Sequence, residues 1–321
     1  MDITKIKEHI DDVLVETNFT NLGEKKIGKV RDIYAQKDKI ILITTDRLTG
    51  FDRLLACIPF KGQVLNQVSA FWFDQTKDII QNHVISIPDP NVVIGKRCKP
   101  VLVEGVVRGY LTGVTDTSIW TRYQKGERSF GGTILPDGMK KNTKLPEPIF
   151  DPTTKEDTHD RTLTRDEMVS EGFITTELFA EVEKSSLALF KRGQEISLQK
   201  GLILVDCKYE FGLTPDGEIM LIDEIHTPDS SRYWQADSYK DRINQGLEPQ
   251  NFDKEFLRLW FKDNSDPYKD KIMPRAPVEL VAELSRRYIQ IFEQITGKPF
   301  EHDFSQSTIE RITNNLEKYK S

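Results

Sequence analysis

The segment that most constrains the fold is 202–224, LILVDCKYEFGLTPDGEIMLIDE, because it has the form of a β-hairpin with a charged face. The sequence TPDG at 214–217 is typical of a turn, since proline fixes φ at its second position and glycine tolerates the bend. Side chains alternate between the two faces of a strand, so Asp206, Lys208 and Glu210 share one face. We therefore expect an antiparallel sheet that gathers two acids and a lysine.

The register of this hairpin determines which residue of the returning strand faces these charges. If four residues form the turn, Lys208 lies opposite Asp223, and Glu210 is a diagonal neighbour of Asp223 at about 7–8 Å. If a three-residue loop with a glycine bulge forms instead, the register slips and Asp223 turns to the other face unless a bulge compensates. The first closure brings the charges together, and the second separates them.

The charged face has two interpretations. Alternation is the commonest strand pattern, so the face could simply be the solvated side of an amphipathic strand. Against this, Asp and Glu are poor strand formers, and carboxylates gathered without compensation repel each other. A divalent cation would remove that conflict. A few hard oxygen ligands suit Mg²⁺, which takes the rest of its shell from water and nucleotide phosphates.

A second candidate site is the glycine segment 23–30, which nearly matches the phosphate-binding P-loop pattern. That loop needs Ser or Thr after its lysine and a following helix, whereas Val30 follows here and a strand continues. What remains is a hairpin in which Gly28 allows close approach, and alternation places Lys29 and Arg31 on one face. Such a hairpin either binds polyphosphate, as in strand-borne kinase loops, or is a plain exposed turn.

Two arginines and the histidines complete the candidate chemistry. Arg108 ends a predicted strand and Arg232 lies in a Pro/Asp/Ser loop; each offers a planar fork suited to phosphate or carboxylate, although an isolated arginine is ordinarily a surface ion pair. The five histidines form no H-E-x-x-H motif, and no G-x-S-x-G motif occurs. A zinc hydrolase and a serine hydrolase are therefore disfavoured.

The order of predicted elements, strands first and helices mostly later, favours an α+β fold. Residues 25–58 predict two or three short strands, and 98–110 predict a further strand. Helical spacing is predicted, with approximate bounds, at 62–80, 177–200, 252–262, 277–296 and 306–319. The Pro/Gly/Lys-rich passage 131–164 is too irregular for a simple connector, so we expect a lid or binding loop there.

Composition narrows the classes of function. The 321 residues include 45 basic and 51 acidic side chains, a net charge of 45 − 51 = −6, which argues against a nucleic-acid binder. Apolar runs are strand-sized, well below the ~20 residues of a membrane helix, and the first residues lack a signal-peptide core. Three scattered cysteines argue against disulfides and structural zinc. The sequence predicts a cytoplasmic protein that binds neither membrane nor nucleic acid; monomer and homodimer are both compatible with it.

Six collinear segments resemble the phosphoribosylaminoimidazole-succinocarboxamide synthase (SAICAR synthetase) family: GKVRDIY (28–34), TTDRLTGFD (44–52), KGQVLNQVSAFWF (61–73), VVRGYLTG (106–113), VDCKYEFG (205–212) and DEIHTPDSSRYW (223–234). The resemblance spans about residues 25–260. It implies an ATP-dependent ligase that joins the carboxylate of the imidazole ribonucleotide CAIR to the amine of L-aspartate, with release of ADP and phosphate. It also implies an α+β fold with an N-terminal antiparallel sheet domain (1–103), a larger C-terminal domain (104–321), and ATP in the cleft in a kinase-like manner.

The resemblance implies a role for individual residues. They are, for ATP, Gly28, Lys29, Arg31, Val103 and Glu104; for Mg²⁺, Glu210 and Asp223; for catalysis, Lys208 and Asp206; and for the substrates, Arg108, Thr115, Arg232 and Asp52. Two positions depart from the family pattern. Val114 stands where the family usually has Ser, so Thr115 or Ser118 would supply the hydroxyl, and Thr49-Gly50 replaces the commoner Ser-Ala.

The implied mechanism is physically coherent, because ATP must convert a carboxylate to an acyl phosphate before an amine can displace the oxygen. Mg²⁺ and the cations Lys29, Arg31 and Lys208 would offset the charge of phosphoryl transfer. Two rival functions are a nucleotide-binding regulatory module and a kinase-like phosphotransferase. The full carboxylate set disfavours the first, and the pair Arg108 and Arg232 disfavours the second.

Overall fold

The computed structural model describes residues 1–51, 53–115, 117–155, 161–252 and 254–320. The chain forms two compact units. The first comprises Met1–Phe71, His83–Arg97 and Phe252–Ser321, and the second comprises Trp72–Asn82 and Cys98–Asn251. The division expected from the sequence, 1–103 and 104–321, differs from these units at residues 72–82, 98–103 and 252–321. That two-domain division stays a prediction.

Within the described residues the strands are β1 (Glu24–Ile27), β2 (Arg31–Ala35), β3 (Lys39–Thr44), β4 (Arg47–Gly50), β5 (Arg53–Cys57), β6 (Val84–Asp89), β7 (Val92–Lys96), β8 (Lys99–Tyr110), β9 (Ser129–Phe130), β10 (Thr133–Ile134), β11 (Lys144–Phe150), β12 (Thr153–Thr154), β13 (Leu202–Leu213), β14 (Ile219–Ile222) and β15 (Ser231–Gln235). The helices are α1 (Ile3–Glu8), α2 (Lys61–Thr76), α3 (Ile119–Gln124), α4 (Arg165–Ser170), α5 (Thr176–Gln199), α6 (Ala236–Asn244), α7 (Glu255–Asn264), α8 (Val278–Thr296) and α9 (Thr308–Asn315), followed by a 3₁₀ turn at Glu317–Tyr319. In the described part of the chain, no helix has both the length and the apolar character that crossing a bilayer demands.

The first unit contains an antiparallel sheet in the order β1-β2-β3-β7-β6 and a separate β4-β5 hairpin. The β-branched runs of β3 and β7 fit a pleated, half-buried surface. Their core-facing side chains Ile41, Ile43, Val92 and Ile94 pack with Ile312 of α9. Helix α9, near the end of the chain, therefore completes the hydrophobic core of the sheet formed by the N-terminal strands.

The second unit is built on a larger antiparallel sheet, β11-β8-β13-β14, in which β12 also pairs with β8 and β15 with β13. Helix α5 packs on β8 and β13. Gly105 and Gly109 of β8 make this close approach possible, since an added Cβ would lie 2.4 Å from Ser186 Oγ and 2.9 Å from Gln194 Nε2 of the helix. The sheet thus keeps its other face available for charged side chains.

The α+β prediction is confirmed, and the helices lie close to their predicted bounds. The capping box of Thr164 and Glu167 starts α4 as expected, and Gly201 follows α5 with φ 72°. Two expectations need correction. Residues 25–58 form five strands rather than two or three, and the passage 131–164 is not irregular throughout, because β11 and β12 pair with β8.

Candidate active site

The predicted hairpin forms from β13 and β14, but with a register that the four-residue turn does not give. Glu210 pairs with Ile222, so residues 214–218 form a five-residue loop. Neither closure considered from the sequence, with four or with three loop residues, is formed, and Lys208 does not lie directly opposite Asp223. The extra residue fits because Gly217 adopts φ 85°, which glycine permits without strain.

Asp223 nevertheless acts on Lys208. It follows the last residue of β14 and has φ 65°, a left-handed backbone that interrupts the alternation of side chains. Burial lowers the pKa of Lys208, but the carboxylates of Glu210, Glu104 and Asp223 outweigh burial and hold it well above its ordinary value. The left-handed conformation of Asp223 thus compensates for the shifted register. The sequence analysis considered such compensation only by a β-bulge.

These residues and Lys155 form what we call the lysine cluster: Glu104, Lys155, Lys208, Glu210 and Asp223. The Lys208 ammonium donates to Glu104 Oε1 at 2.7 Å and to Glu210 Oε1 at 2.5 Å, while Lys155 donates to Glu210 Oε2. Burial raises the pKa of Glu210, but the two lysines outweigh it and hold that pKa well below its ordinary value. Glu210 is therefore a carboxylate fixed in its charged form.

The lysine cluster fits a magnesium ion held mainly by nucleotide oxygens. Three carboxylates face two ammonium groups, which leaves one excess negative charge for a further cation. Among the described residues, no three acidic, histidine or cysteine side chains lie close enough to hold a metal by themselves. Mg²⁺ needs only one or two protein carboxylates when phosphates complete its shell, and Glu210 with Asp223 can supply them.

A second set of charges crosses the same sheet. Asp206 of β13 pairs in register with Arg108 of β8 on one side and with Arg232 of β15 on the other. We call Arg108, Asp206 and Arg232 the arginine row. The Asp206 carboxylate accepts from the Arg232 guanidinium and, at 3.3 Å, from its backbone N–H. The structure thus brings together three residues that the sequence separates by up to 124 positions.

Arg108 has its own carboxylate. Its Nε donates to Asp151 Oδ2 at 2.6 Å, and Asp151 is almost fully buried. Within the described residues, the two Nη groups of Arg108 donate to no protein acceptor. Asp151 follows β11 directly, and its backbone N–H donates to Val106 O at 2.8 Å, so the strand pairing with β8 places it beside Arg108.

The loop after β8 decides between the two hydroxyls expected to replace the family serine. Ser118 caps α3, accepting from Thr121 N–H and donating to Thr115 O at 2.8 Å. Its hydroxyl is therefore committed to the helix, while the hydroxyl of half-buried Thr115 makes no hydrogen bond to another described residue. Gly113, with φ 108°, brings this loop to Arg232, since an added Cβ would lie 3.7 Å from Arg232 Nη2. Thr115 is the better candidate.

The glycine hairpin lies in the first unit. Gly28 donates its N–H to Arg31 O at 2.8 Å, which closes the turn between β1 and β2. Lys29 is exposed within the turn, whereas Arg31 is buried at the start of β2, so the strand alternation from which a shared face was predicted does not extend to Lys29. Arg47 fixes the turn by donating to the carbonyls of Gly28 and Lys29 at 2.9 and 3.3 Å, with its other nitrogen 2.9 Å from Asp32 Oδ1.

The remaining predicted residues are placed as follows. Val103 is buried in β8 and pairs with Thr154. Glu104, expected at the adenine, has its carboxylate on Lys208, and Thr153 Oγ1 donates to it at 3.3 Å. Asp52 lies outside the described residues.

The sequence did not indicate three of the candidate functional residues: Arg47, Asp151 and Lys155. Asp151 and Lys155 stand four residues apart in FDPTTK, inside the passage that read as irregular loop. Both are placed by short strands pairing with β8, which no local pattern indicates. Their only sequence signal is charge within a proline-rich segment.

Comparison with known proteins assigns the family. A family model described as SAICAR synthetase matches residues 24–275. A phosphoribosylaminoimidazole-succinocarboxamide synthase of Legionella pneumophila (strain Paris) is 52% identical over 307 residues, covering 95% of this chain and 98% of the relative. A chloroplastic enzyme of the same name from Arabidopsis thaliana is 53% identical over 315 residues, covering 97% of this chain and 77% of the relative.

Solved structures agree. The Saccharomyces cerevisiae SAICAR synthase complexed with SAICAR superposes with a TM-score of 0.77 at 28% identity, covering 90% of this chain and all of that one. A SAICAR synthetase in complex with ADP gives a TM-score of 0.66 at 27% identity, covering 87% of this chain and all of that one. Together with the family model and the relatives of more than 50% identity, they establish that the chain belongs to the SAICAR synthetase family.

Proposed function

We propose that this protein is a phosphoribosylaminoimidazole-succinocarboxamide synthase, the ligase of purine biosynthesis that condenses CAIR with L-aspartate and converts ATP to ADP and phosphate. The observation that carries the proposal is the pairing, on one sheet, of the lysine cluster with the arginine row. The first suits phosphoryl transfer and the second suits an anionic ribonucleotide. The curated relatives carry this name over nearly the whole chain.

The reaction must activate a carboxylate, because a carboxylate oxygen does not leave when an amine attacks. Transfer of the terminal phosphate of ATP to CAIR forms an acyl phosphate, and the aspartate amine then displaces phosphate. Catalysis of the first step is mainly positioning and charge stabilisation. Lys208 and Lys155 supply mobile positive charge for the transferred phosphate, and Gly28, Lys29 and Arg31 hold the ATP phosphates.

Glu210 and Asp223 would hold Mg²⁺, which would offset phosphate charge when bound. The fixed negative charge of Glu210 suits a metal ligand rather than a proton donor. Val103 and Glu104 border the adenine, with Glu104 also restraining Lys208.

Arg108 and Arg232 bind the ribonucleotide, assisted by the hydroxyl of Thr115. An arginine fork matches phosphate oxygens in pairs, which fixes orientation as well as adding affinity. Asp206 contributes by holding Arg232. We place the aspartate pocket near residues 49–52 and assign water exclusion to the loop within 131–164, because an acyl phosphate must be kept from hydrolysis.

A cytoplasmic location agrees with the three free cysteines, Cys57, Cys98 and Cys207.

The test is turnover with ATP, Mg²⁺, CAIR and L-aspartate, with each omitted in turn. We expect SAICAR and ADP in equal amounts, and no SAICAR when any component is missing. ADP release that ignores both CAIR and aspartate would refute the ligase assignment. ADP release that needs CAIR but not aspartate, with a stable phosphorylated product, would identify the kinase-like alternative.

A further inference from the structure

A chain of ion pairs extends from the buried Arg108 of the arginine row to the partly exposed Glu127 beyond α3. Asp151 accepts from Arg108 on one side and from Arg122 on the other. Arg122 in turn pairs with Glu127, just beyond the helix. This chain, Glu127–Arg122–Asp151–Arg108, includes only one residue of the proposed substrate site.

Arg122 is fully committed to its two carboxylates. Its Nη1 donates to both oxygens of Asp151, at 3.0 and 2.9 Å, and its Nε donates to Glu127 Oε2 at 2.9 Å, with Nη2 on the other Glu127 oxygen. The guanidinium also lies 4.9 Å from the ring centroid of Phe130. Each of its three nitrogens donates to one of these carboxylates, so Arg122 holds Asp151 in place.

Arg108 is bound differently. Asp151 takes only its Nε, and the Nη pair, the edge that binds phosphate or carboxylate in a two-pronged manner, donates to no acceptor in the described part of the chain. Because the Nε of Arg108 is held by Asp151, the direction of the fork depends on the position of Asp151, which Arg122 holds in place.

We propose that Asp151, fixed by Arg122 and Glu127, is a positioning residue that aims the Arg108 fork at an anionic oxygen pair of the substrate. The inference rests on the proposed function, and the group concerned is the phosphate or carboxylate of the ribonucleotide. The formal charges of the four residues cancel, because two guanidiniums pair with two carboxylates. What Arg108 offers the substrate is therefore the direction of its Nη donors rather than an excess of positive charge.

The test compares Asp151→Asn with a matched control, Asp89→Asn. Asp89 is also buried, with a side-chain exposure of 0%, and it pairs with Arg311, whose exposure of 8% is close to the 9% of Arg108. We expect Asp151→Asn to raise KM for CAIR about tenfold or more, the size of one charged hydrogen bond, with KM for ATP changed less than about twofold. Asp89→Asn should lower the melting temperature similarly and leave both KM values unchanged.

Chemical rescue adds a readout that a purely structural role would not give. Asp151 and Arg122 line a cavity of about 450 Å³ that also includes Ser129, Thr162 and Arg165. Formate can therefore reach the space that Asp151→Ala leaves. We expect formate to lower KM for CAIR in that variant, and to have no such effect in Asp89→Ala.

Equal effects of Asp151→Asn and Asp89→Asn on KM for CAIR would overturn the inference. So would an Asp151→Ala variant whose KM for CAIR ignores formate. If the wild type shows no ligase turnover, the proposed function fails first. Calorimetric titration of CAIR and of inorganic phosphate into wild type and Asp151→Asn then tests the inference separately, with weaker binding to the variant expected and equal binding against it.

Discussion

The lysine cluster and the chain around Arg108 lie on one sheet but hold their cations in opposite ways. Lys208 and Lys155 have side-chain exposures of 36% and 35%, and they share the carboxylate of Glu210. Arg108 and Asp151 have exposures of 9% and 2%, and their contact is supported by a further ion pair. An ammonium is a compact charge on a flexible stem, whereas a guanidinium is a planar fork.

The proposed function relates this difference to two tasks of one reaction. Phosphoryl transfer needs positive charge that follows a moving group, and the half-buried ammonium groups of the lysine cluster suit it because they can change partners. Recognition of a ribonucleotide needs a fixed geometry, which suits a buried, carboxylate-held guanidinium. Changes in the lysine cluster should therefore alter kcat, and changes around Arg108 should alter KM for CAIR.

The largest expected effect comes from Glu210→Gln. The amide keeps the size of the side chain but removes the negative charge that pairs with Lys208 and Lys155 and is proposed to hold Mg²⁺. We expect turnover to fall at least about a thousandfold, in line with losses of preorganised charge, while the fold is retained. Steady-state rates at saturating substrates and circular dichroism measure the two quantities.

The matched control is Glu218→Gln, in the loop of the same hairpin and exposed to solvent. It should behave as wild type. A fully active Glu210→Gln variant would remove Glu210 from the metal site.

The second prediction exchanges the type of cation within the lysine cluster. Lys208→Arg keeps the charge but replaces a compact group by a larger planar one, which cannot sit between Glu104 and Glu210 in the same way. We expect kcat to fall about a hundredfold with KM for CAIR little changed. The control is Lys184→Arg, an exposed position on α5. A Lys208→Arg enzyme with normal kcat would show that the flexibility of the ammonium is unimportant.

The converse exchange, Arg108→Lys, should have a smaller and different effect. A lysine at this position can pair with Asp151 or contact the substrate, but it cannot present a fork while bound to Asp151. We expect KM for CAIR to rise about tenfold to thirtyfold, with kcat within about threefold. If Arg108→Lys changes kcat more than KM for CAIR, the proposed difference in role between the lysine cluster and the residues around Arg108 is wrong.

The sequence predicted the components of the lysine cluster better than its geometry. Alternation along β13 correctly placed Lys208 and Glu210 on one face, because a strand imposes that period locally. The register could not be predicted, since one extra loop residue and the left-handed conformation of Asp223 compensate each other. The fold class followed from the order of elements, and six collinear segments identified the family.

The supporting residues could not be predicted because their partners are distant in sequence. Asp151 meets Arg108 across 43 positions, and Lys155 meets Glu210 across 55. Both depend on β11 and β12, short strands whose proline-rich sequence is typical of a loop. Periodicity therefore identifies residues that lie on one face of a single strand. It does not identify residues that reach a site only because their strand pairs with a distant one.

His226 links the two regions, because the loop that contains it begins with Asp223 of the lysine cluster and leads into β15, which carries Arg232 of the arginine row. The imidazole is fully buried, contacts Trp72 edge-on at 4.7 Å between ring centroids, and shares a 2.5 Å hydrogen bond between Nε2 and Tyr209 OH. Burial lowers the pKa of His226 to about 3. Acid should therefore weaken both regions together, whereas the three substitutions above each affect one.

The smallest expected effect is the pH dependence of stability that His226 contributes. Below about pH 6.5, the ordinary pKa of histidine, the unfolded chain binds a proton at His226, whereas the folded protein does not bind it until about pH 3. The free energy of unfolding therefore falls with decreasing pH. We expect His226→Gln to reduce this slope between pH 6 and 4 by up to about 1.4 kcal/mol per pH unit, measured by urea unfolding. Asp46→Asn should act in the opposite direction, because burial raises the pKa of Asp46 to about 6 and the folded state then takes up the proton first. A slope that His226→Gln leaves unchanged would mean that the folded protein accommodates the charged imidazole.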